Sequence, residues 1–100
     1  LSLEEAHYRG STLAAHAAGF KDRGMLREGA PADVIVYELD SLAIEPPWIG
    51  EPVYDLPGGE WRRVQYARGY RHILVNGVET FSDGECTDAV PGKLLRHGRG

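Results

Sequence analysis

Apolar residues recur at helical spacing along the first twenty positions: Leu3, Ala6, Gly10, Leu13, Ala14 and Ala17 fall on one side of a 3.6-residue turn. Ser2 stands before this run with Glu5 three residues later, the pattern of a capping box in which the hydroxyl accepts an early amide and the carboxylate reaches back. Gly19 is placed to close the helix in a left-handed conformation. The pattern predicts a helix over residues 3–18. Its stripe is mostly alanine and glycine, which removes little area from water but lets a partner backbone come close. Such a helix asks for something larger to pack on than one small sheet.

The pattern then changes period. Residues 20–24 form a polar turn anchored by Phe20, and residues 28–31 form a second turn in which Gly29 permits a left-handed bend and Pro31 fixes φ. Met25-Leu26 between them are compatible with a short strand. Val34-Ile35-Val36-Tyr37 is the most β-prone run in the chain, bounded by Asp33 and Asp40, and its nearly continuous apolar character predicts a central strand covered on both faces. Residues 41–60 hold Pro46, Pro47, Pro52, Pro57, Gly50, Gly58 and Gly59 with Trp48, Ile49 and Tyr54 among them, so a long irregular loop is expected there. Residues 61–66 alternate weakly, compatible with a strand, and 67–69 read as a break.

The clearest local signal is Asn76-Gly77 between the runs 70–75 and 78–81, which calls for a hairpin closed by a two-residue type I′ turn. Asp83-Gly84 supplies another turn and Glu85-Cys86-Thr87 the start of a last short strand. Residues 91–100 read as a basic tail with room for a short helical turn. The predicted class is α+β, mainly β: one N-terminal helix followed by strands, with a boundary near residues 19–24 separating units 1–20 and 21–100.

Composition adds limits. One hundred residues make one domain at most, with 42% hydrophobic and 26% charged residues, enough apolar material to fold. A net charge of -4 and a pI near 5.5 argue against nucleic acid or a membrane surface as partner, since either needs a basic face. The basic clusters, Arg62, Arg63, Arg68 and Arg71, then Lys93, Arg96 and Arg99, suit solvated strand faces and a tail. One cysteine, Cys86, cannot form an internal disulfide, so a cytoplasmic location is expected. No apolar run approaches the ~20 residues of a membrane-spanning helix. The chain begins at Leu1 rather than methionine, which suggests a fragment.

The residues spell no reaction. His7 and His16 are nine positions apart, out of phase on a helix, while His72 and His97 belong to a strand and the tail, so no metal site is expected from this chain. Cys86 is flanked by Glu85 and Asp88, and neighbouring acid would raise a thiol pKa, so it reads as a half-buried strand cysteine. The carboxylates read as structural: Glu5 in a cap, Asp33 and Asp40 at strand ends, Asp83 in a turn. Trp48, Tyr54, Trp61 and Tyr66 could stack a ligand, although pinning the long loop is the commoner use of such residues. No catalytic, cofactor-binding or metal-binding residue is assigned within residues 1–100.

The order of residues carries more than their types. Leu1-Ser2-Leu3-Glu4-Glu5-Ala6, then the run from Asp22-Arg23-Gly24 through Gly29, Ala32-Asp33 and Tyr37, then Ile73-Leu74-Val75-Asn76-Gly77, resembles the C-terminal end of the metal-dependent amidohydrolase superfamily, and within it the N-acyl-D-amino-acid deacylases. The Asp83-Gly84 turn and the tail Pro91-Gly92-Lys93-Leu94-Leu95-Arg96 are similar too. One departure is Ala14-Ala15, where the family often carries Pro-Ala.

The resemblance implies a TIM-like barrel that carries the metal and catalytic residues, beside a small β-sandwich built from both chain ends. Residues 1–20 would then be the last barrel helix and residues 21–100 the C-terminal share of the sandwich. It also implies zinc or a similar divalent metal in the parent, bound upstream of Leu1 and not in this chain, and a small acylated amino acid as substrate. The partner would be the remainder of the parent chain; a homo-oligomer is the other way of covering the helix face. The alternative is a stand-alone β-rich interaction module with no catalytic activity.

Overall fold

The computed structural model describes residues 1–46 and 50–98. Trp48, expected among the loop-pinning aromatics, and Arg99 of the basic tail lie outside these residues. The architecture is one helix followed by antiparallel sheets, an α+β arrangement that is mostly β.

The helix is α-helical over Leu3–His7 and Leu13–Ala17, with a π-helical turn over Tyr8–Thr12 between them. Ser2 Oγ accepts the Glu5 N–H at 3.1 Å, the hydroxyl half of the expected cap. Within the π turn, Ser11 Oγ donates to the His7 carbonyl at 2.5 Å, a side-chain bond that competes with the regular ladder. Gly19 follows with φ of 81°, as its position predicted.

The helix meets the rest of the chain through one side only. The Thr12 hydroxyl donates to the Gly24 carbonyl, and Ala15 is half-buried against the same residue. Gly24 has φ of 86°, and a Cβ there would lie 2.8 Å from the Ser11 carbonyl oxygen and 2.9 Å from Ala15 Cβ. Only glycine permits both the conformation and the approach. The predicted apolar stripe points the other way: Leu3, Ala6, Gly10, Leu13, Ala14 and Ala17 are all exposed.

Met25-Leu26 do not form a strand; they lie in the bends between helix and sheet. Strand β1 is Val34–Tyr37, β2 Ala43–Ile44, β3 Glu51–Val53, β4 Arg62–Val64, β5 Ala67–Arg68, β6 Tyr70–Val75, β7 Val78–Ser82 and β8 Glu85–Cys86. The main sheet runs in the order β1-β6-β7-β8, all antiparallel. The hairpin turn carries Asn76 and Gly77 at φ of 51° and 78°, as a type I′ turn requires. β1 is therefore an edge strand, not the central one its composition predicted, and Ile35 and Val36 are 58% and 44% exposed. The tail has no helical turn among residues 91–96.

The stretch expected as an irregular loop is a two-stranded arm. β2 pairs with β5 as Ala43 with Arg68 and Ile44 with Ala67, and β3 pairs with β4 as Glu51 with Val64, Pro52 with Arg63 and Val53 with Arg62. Ala67-Arg68, read as a break, is thus strand. A 3₁₀ turn over Pro57–Gly59 closes the tip, with the Leu56 N–H on the Glu60 carbonyl at 3.2 Å. Pro52 is the one proline within a strand among the described residues, and each strand of a two-stranded ribbon has a free side that needs no N–H donor. Tyr54, Trp61 and Tyr66 remain exposed at 71%, 51% and 60%, so they do not pin the arm from within.

No hydrophobic side chain is fully buried among the described residues. The chain exposes 7822 Å², whereas a folded monomer of 11.0 kDa exposes about 5,600 Å². The surplus, roughly 2,200 Å², is of the size one partner gives up in a large permanent interface.

Candidate functional site

The residues that set the sequence apart converge at one place. Arg23, only 11% exposed at its side chain, leaves the turn after the helix and directs Nη1 to both Asp33 Oδ2 and Asn76 Oδ1, each at 2.7 Å. One guanidinium nitrogen carries two hydrogens, so it serves both acceptors. Asp33 Oδ1 in turn accepts the Asn76 N–H at 2.9 Å, and Asn76 Nδ2 donates to the Pro91 carbonyl at 3.0 Å. The Gly77 N–H closes the set on the Ala32 carbonyl at 2.9 Å. Four segments are tied here: the turn after the helix, the start of β1, the tip of the hairpin and the tail.

Burial pulls the Asp33 pKa upward, but the Asn76 amide and the Arg23 guanidinium outweigh it and hold the carboxyl below its ordinary value of 3.8. The charge is therefore kept at neutral pH. Asp22 Oδ1 and Arg23 Nε lie 3.8 Å apart, close enough for charge attraction but too far for a hydrogen bond, and both are buried without a hydrogen-bond partner among the described residues. The joint consists of a cation, its anion and amides.

A second feature is an open cleft of about 560 Å³ between the base of the arm and the main sheet, lined by Glu45, Tyr66, Arg68, Tyr70, Arg71 and Asp83 among others. Its two cations are already matched. Arg68 Nε faces Glu45 at 3.7 Å, while Arg71 holds Glu38 and lies 3.8 Å from Asp83. Glu38 is held below the usual carboxylate range by that Arg71 bond.

The histidines stay apart. His7 Nε2 and Tyr37 Oη are 2.6 Å apart, joining helix to β1; His72 Nδ1 lies 2.5 Å from Glu79 Oε1 across the hairpin; His97 lies against Gly19. No group of three metal-ligating side chains occurs among the described residues. Cys86 is free and exposed, where the sequence suggested a half-buried position. The sequence pattern places Asp33 at a strand end; only the hydrogen bonds show that Arg23 and Asn76 share it. The signal available was the joint presence of an arginine, an aspartate and an asparagine at turn positions.

This arrangement ties distant segments together, and comparison with known proteins gives it a context. Over 96% of its length the chain is similar to N-acyl-D-glutamate deacylase of Alcaligenes xylosoxydans xylosoxydans, 33% identical across 96 residues. Over 98% it is similar to N-acyl-D-aspartate deacylase of the same organism, 31% identical across 99 residues. The chain spans 17% of the length of each of these relatives. No family model matches the chain, and no solved structure matches it. The resemblance to N-acyl-D-amino-acid deacylases is thus borne out by two relatives.

Proposed function

We propose that this chain is the C-terminal structural part of a metal-dependent amidohydrolase that hydrolyses the amide bond of N-acyl-D-amino acids. The observation that carries the reading is the match along nearly the whole chain to two deacylases of which it spans about a sixth. Their names make acylated acidic D-amino acids the first class to test. In this reading residues 1–20 are the last helix of a TIM-like barrel, and residues 21–100 contribute to a small β-sandwich with the arm projecting from it. The uncovered helix stripe and the surplus surface support the rest of the parent chain as partner.

In this reading, as the family resemblance implies, a zinc or similar divalent metal in the parent is held by residues upstream of Leu1. This chain then contributes position and stability, not a chemical step. A free, exposed Cys86 is consistent with a cytoplasmic parent. No helix among the described residues is long and apolar enough to cross a membrane.

The test is expression of the whole reading frame that contains residues 1–100, assayed with N-acetyl-D-glutamate, N-acetyl-D-aspartate and their L enantiomers. Release of acetate and free amino acid from the D forms is expected, and none from residues 1–100 alone. Hydrolysis by residues 1–100 in metal-free buffer would overturn the reading. So would a reading frame that starts at Leu1, which favours the stand-alone interaction module.

A further inference from the structure

The cleft of about 560 Å³ at the base of the arm sets two cations and two anions around one space: Arg68 with Glu45, and Arg71 with Asp83. Its volume falls within the range of small-molecule sites. Both pairs are loose. Arg68 Nε stands 3.7 Å from Glu45 Oε1 and Arg71 Nη1 stands 3.8 Å from Asp83 Oδ1, close enough for attraction but too far for hydrogen bonds. Arg71 spends its Nη2 on Glu38, whereas Arg68 carries five N–H donors and meets Glu45 only at that longer distance. Arg68 and Asp83 therefore keep the most capacity for a ligand.

Paired backbone holds these groups in place. Arg68 lies on β5 opposite β2, and the Glu45 N–H continues that ladder onto the Tyr66 carbonyl at 2.9 Å. The Asp83 N–H donates to the Arg71 carbonyl at 2.7 Å, which fixes the turn between β7 and β8 against β6. A ligand of one charge sign gains from one member of each pair and loses to the other. A molecule that carries both signs on one carbon gains from both. Tyr66 and Tyr70, also in the lining, offer ring surface to its side chain and π faces to an ammonium.

We propose that this cleft binds a free α-amino acid, its carboxylate facing Arg68 and its ammonium facing the carboxylates of Glu45 and Asp83. Resting on the deacylase reading above, the ligand at hand is the amino acid that hydrolysis releases. The acylated substrate has the same carboxylate but an amide in place of the ammonium. The cleft thus tells product from substrate by the one charge that the reaction creates.

The experiment is calorimetric titration of the intact gene product with D-alanine, acetate, methylamine and N-acetyl-L-alanine, with hydrogen exchange over residues 66–71 and deacylase activity measured on the same sample. D-Alanine is expected to bind and to slow exchange in that segment, and the other three, each lacking one of the two charges, to bind there at least about tenfold more weakly. Arg68→Met and Asp83→Asn should each weaken D-alanine by about tenfold or more and leave deacylase activity unchanged. Asparagine suits the φ of 48° at position 83, so the second variant keeps the turn. No binding of D-alanine, binding that neither variant weakens, or equal protection by acetate overturns the site even in an active deacylase. Binding of D-alanine that both variants weaken, in a protein without deacylase activity, upholds the site and rejects the functional reading instead.

Discussion

Replacing Arg23 with methionine keeps the length of the side chain and removes its donors, so the joint loses its centre without leaving a large cavity. Asp33 Oδ2 and Asn76 Oδ1 each lose a bond of 2.7 Å. A hydrogen bond to a charged group contributes about 1.5–3 kcal/mol, and the Asp33 side chain, 36% exposed, regains part of that from water, which leaves about 1–2 kcal/mol. The Asn76 carbonyl, part-buried and now without its donor, adds about 1 kcal/mol. A total of about 2–3 kcal/mol corresponds to roughly 30- to 150-fold faster opening. The assay is exchange of the Asn76 and Gly77 amides, which bond Asp33 Oδ1 and the Ala32 carbonyl. A double-mutant cycle with Asp33→Asn should give a coupling of about 1 kcal/mol or more. An acceleration below threefold, or strict additivity in the cycle, would refute the view that Arg23 holds these segments together.

Other outcomes follow from the same geometry. The Asp33 carboxyl has a native pKa below its ordinary 3.8, so its stabilising contribution is complete above that value and is lost as pH falls through the native one; the gap between wild type and Arg23→Met should narrow in acid denaturation below about pH 4 and stay constant from pH 5 to 8. Gly24→Ala forces a side chain into φ of 86° against the Ser11 carbonyl, at a cost of about 2 kcal/mol or more, read as a lowered urea midpoint. Asn76→Ala removes both a residue suited to positive φ and the bond to Pro91, so limited proteolysis should cut the tail faster, and the hairpin should lose about 1–2 kcal/mol. Arg62→Ala breaks a bidentate pair with Asp55 at 2.8 and 2.7 Å, but both groups stand in solvent at the arm tip, so the unfolding midpoint should not move measurably.

Much of this fold could be read from local patterns. Ser2 and Gly19 bracket the helix, and Asn76-Gly77 and Asp83-Gly84 mark the two turns that arrange β6, β7 and β8, because capping and positive φ are decided within a few residues. The arm escapes local patterns for the same reason. Its prolines and glycines are loop-like one by one, and the pairing of Ala43 with Arg68 or Pro52 with Arg63 joins residues too far apart for any local pattern to reveal. Met25-Leu26 failed as a strand because no neighbouring strand pairs with them, and composition alone cannot supply one.

The sequence by itself determined the helix, the hairpin and the likeness to the deacylases, since these rest on residue types at fixed spacing. Only the tertiary structure decided that Arg23, Asp33 and Asn76 form one joint, that the apolar helix stripe faces outward, and that β1 lies at an edge. Each of these is a statement about which distant segments meet. Hydrophobic spacing records that a face must be buried, and packing decides by what; here the described residues leave the helix stripe and the outer side of β1 uncovered.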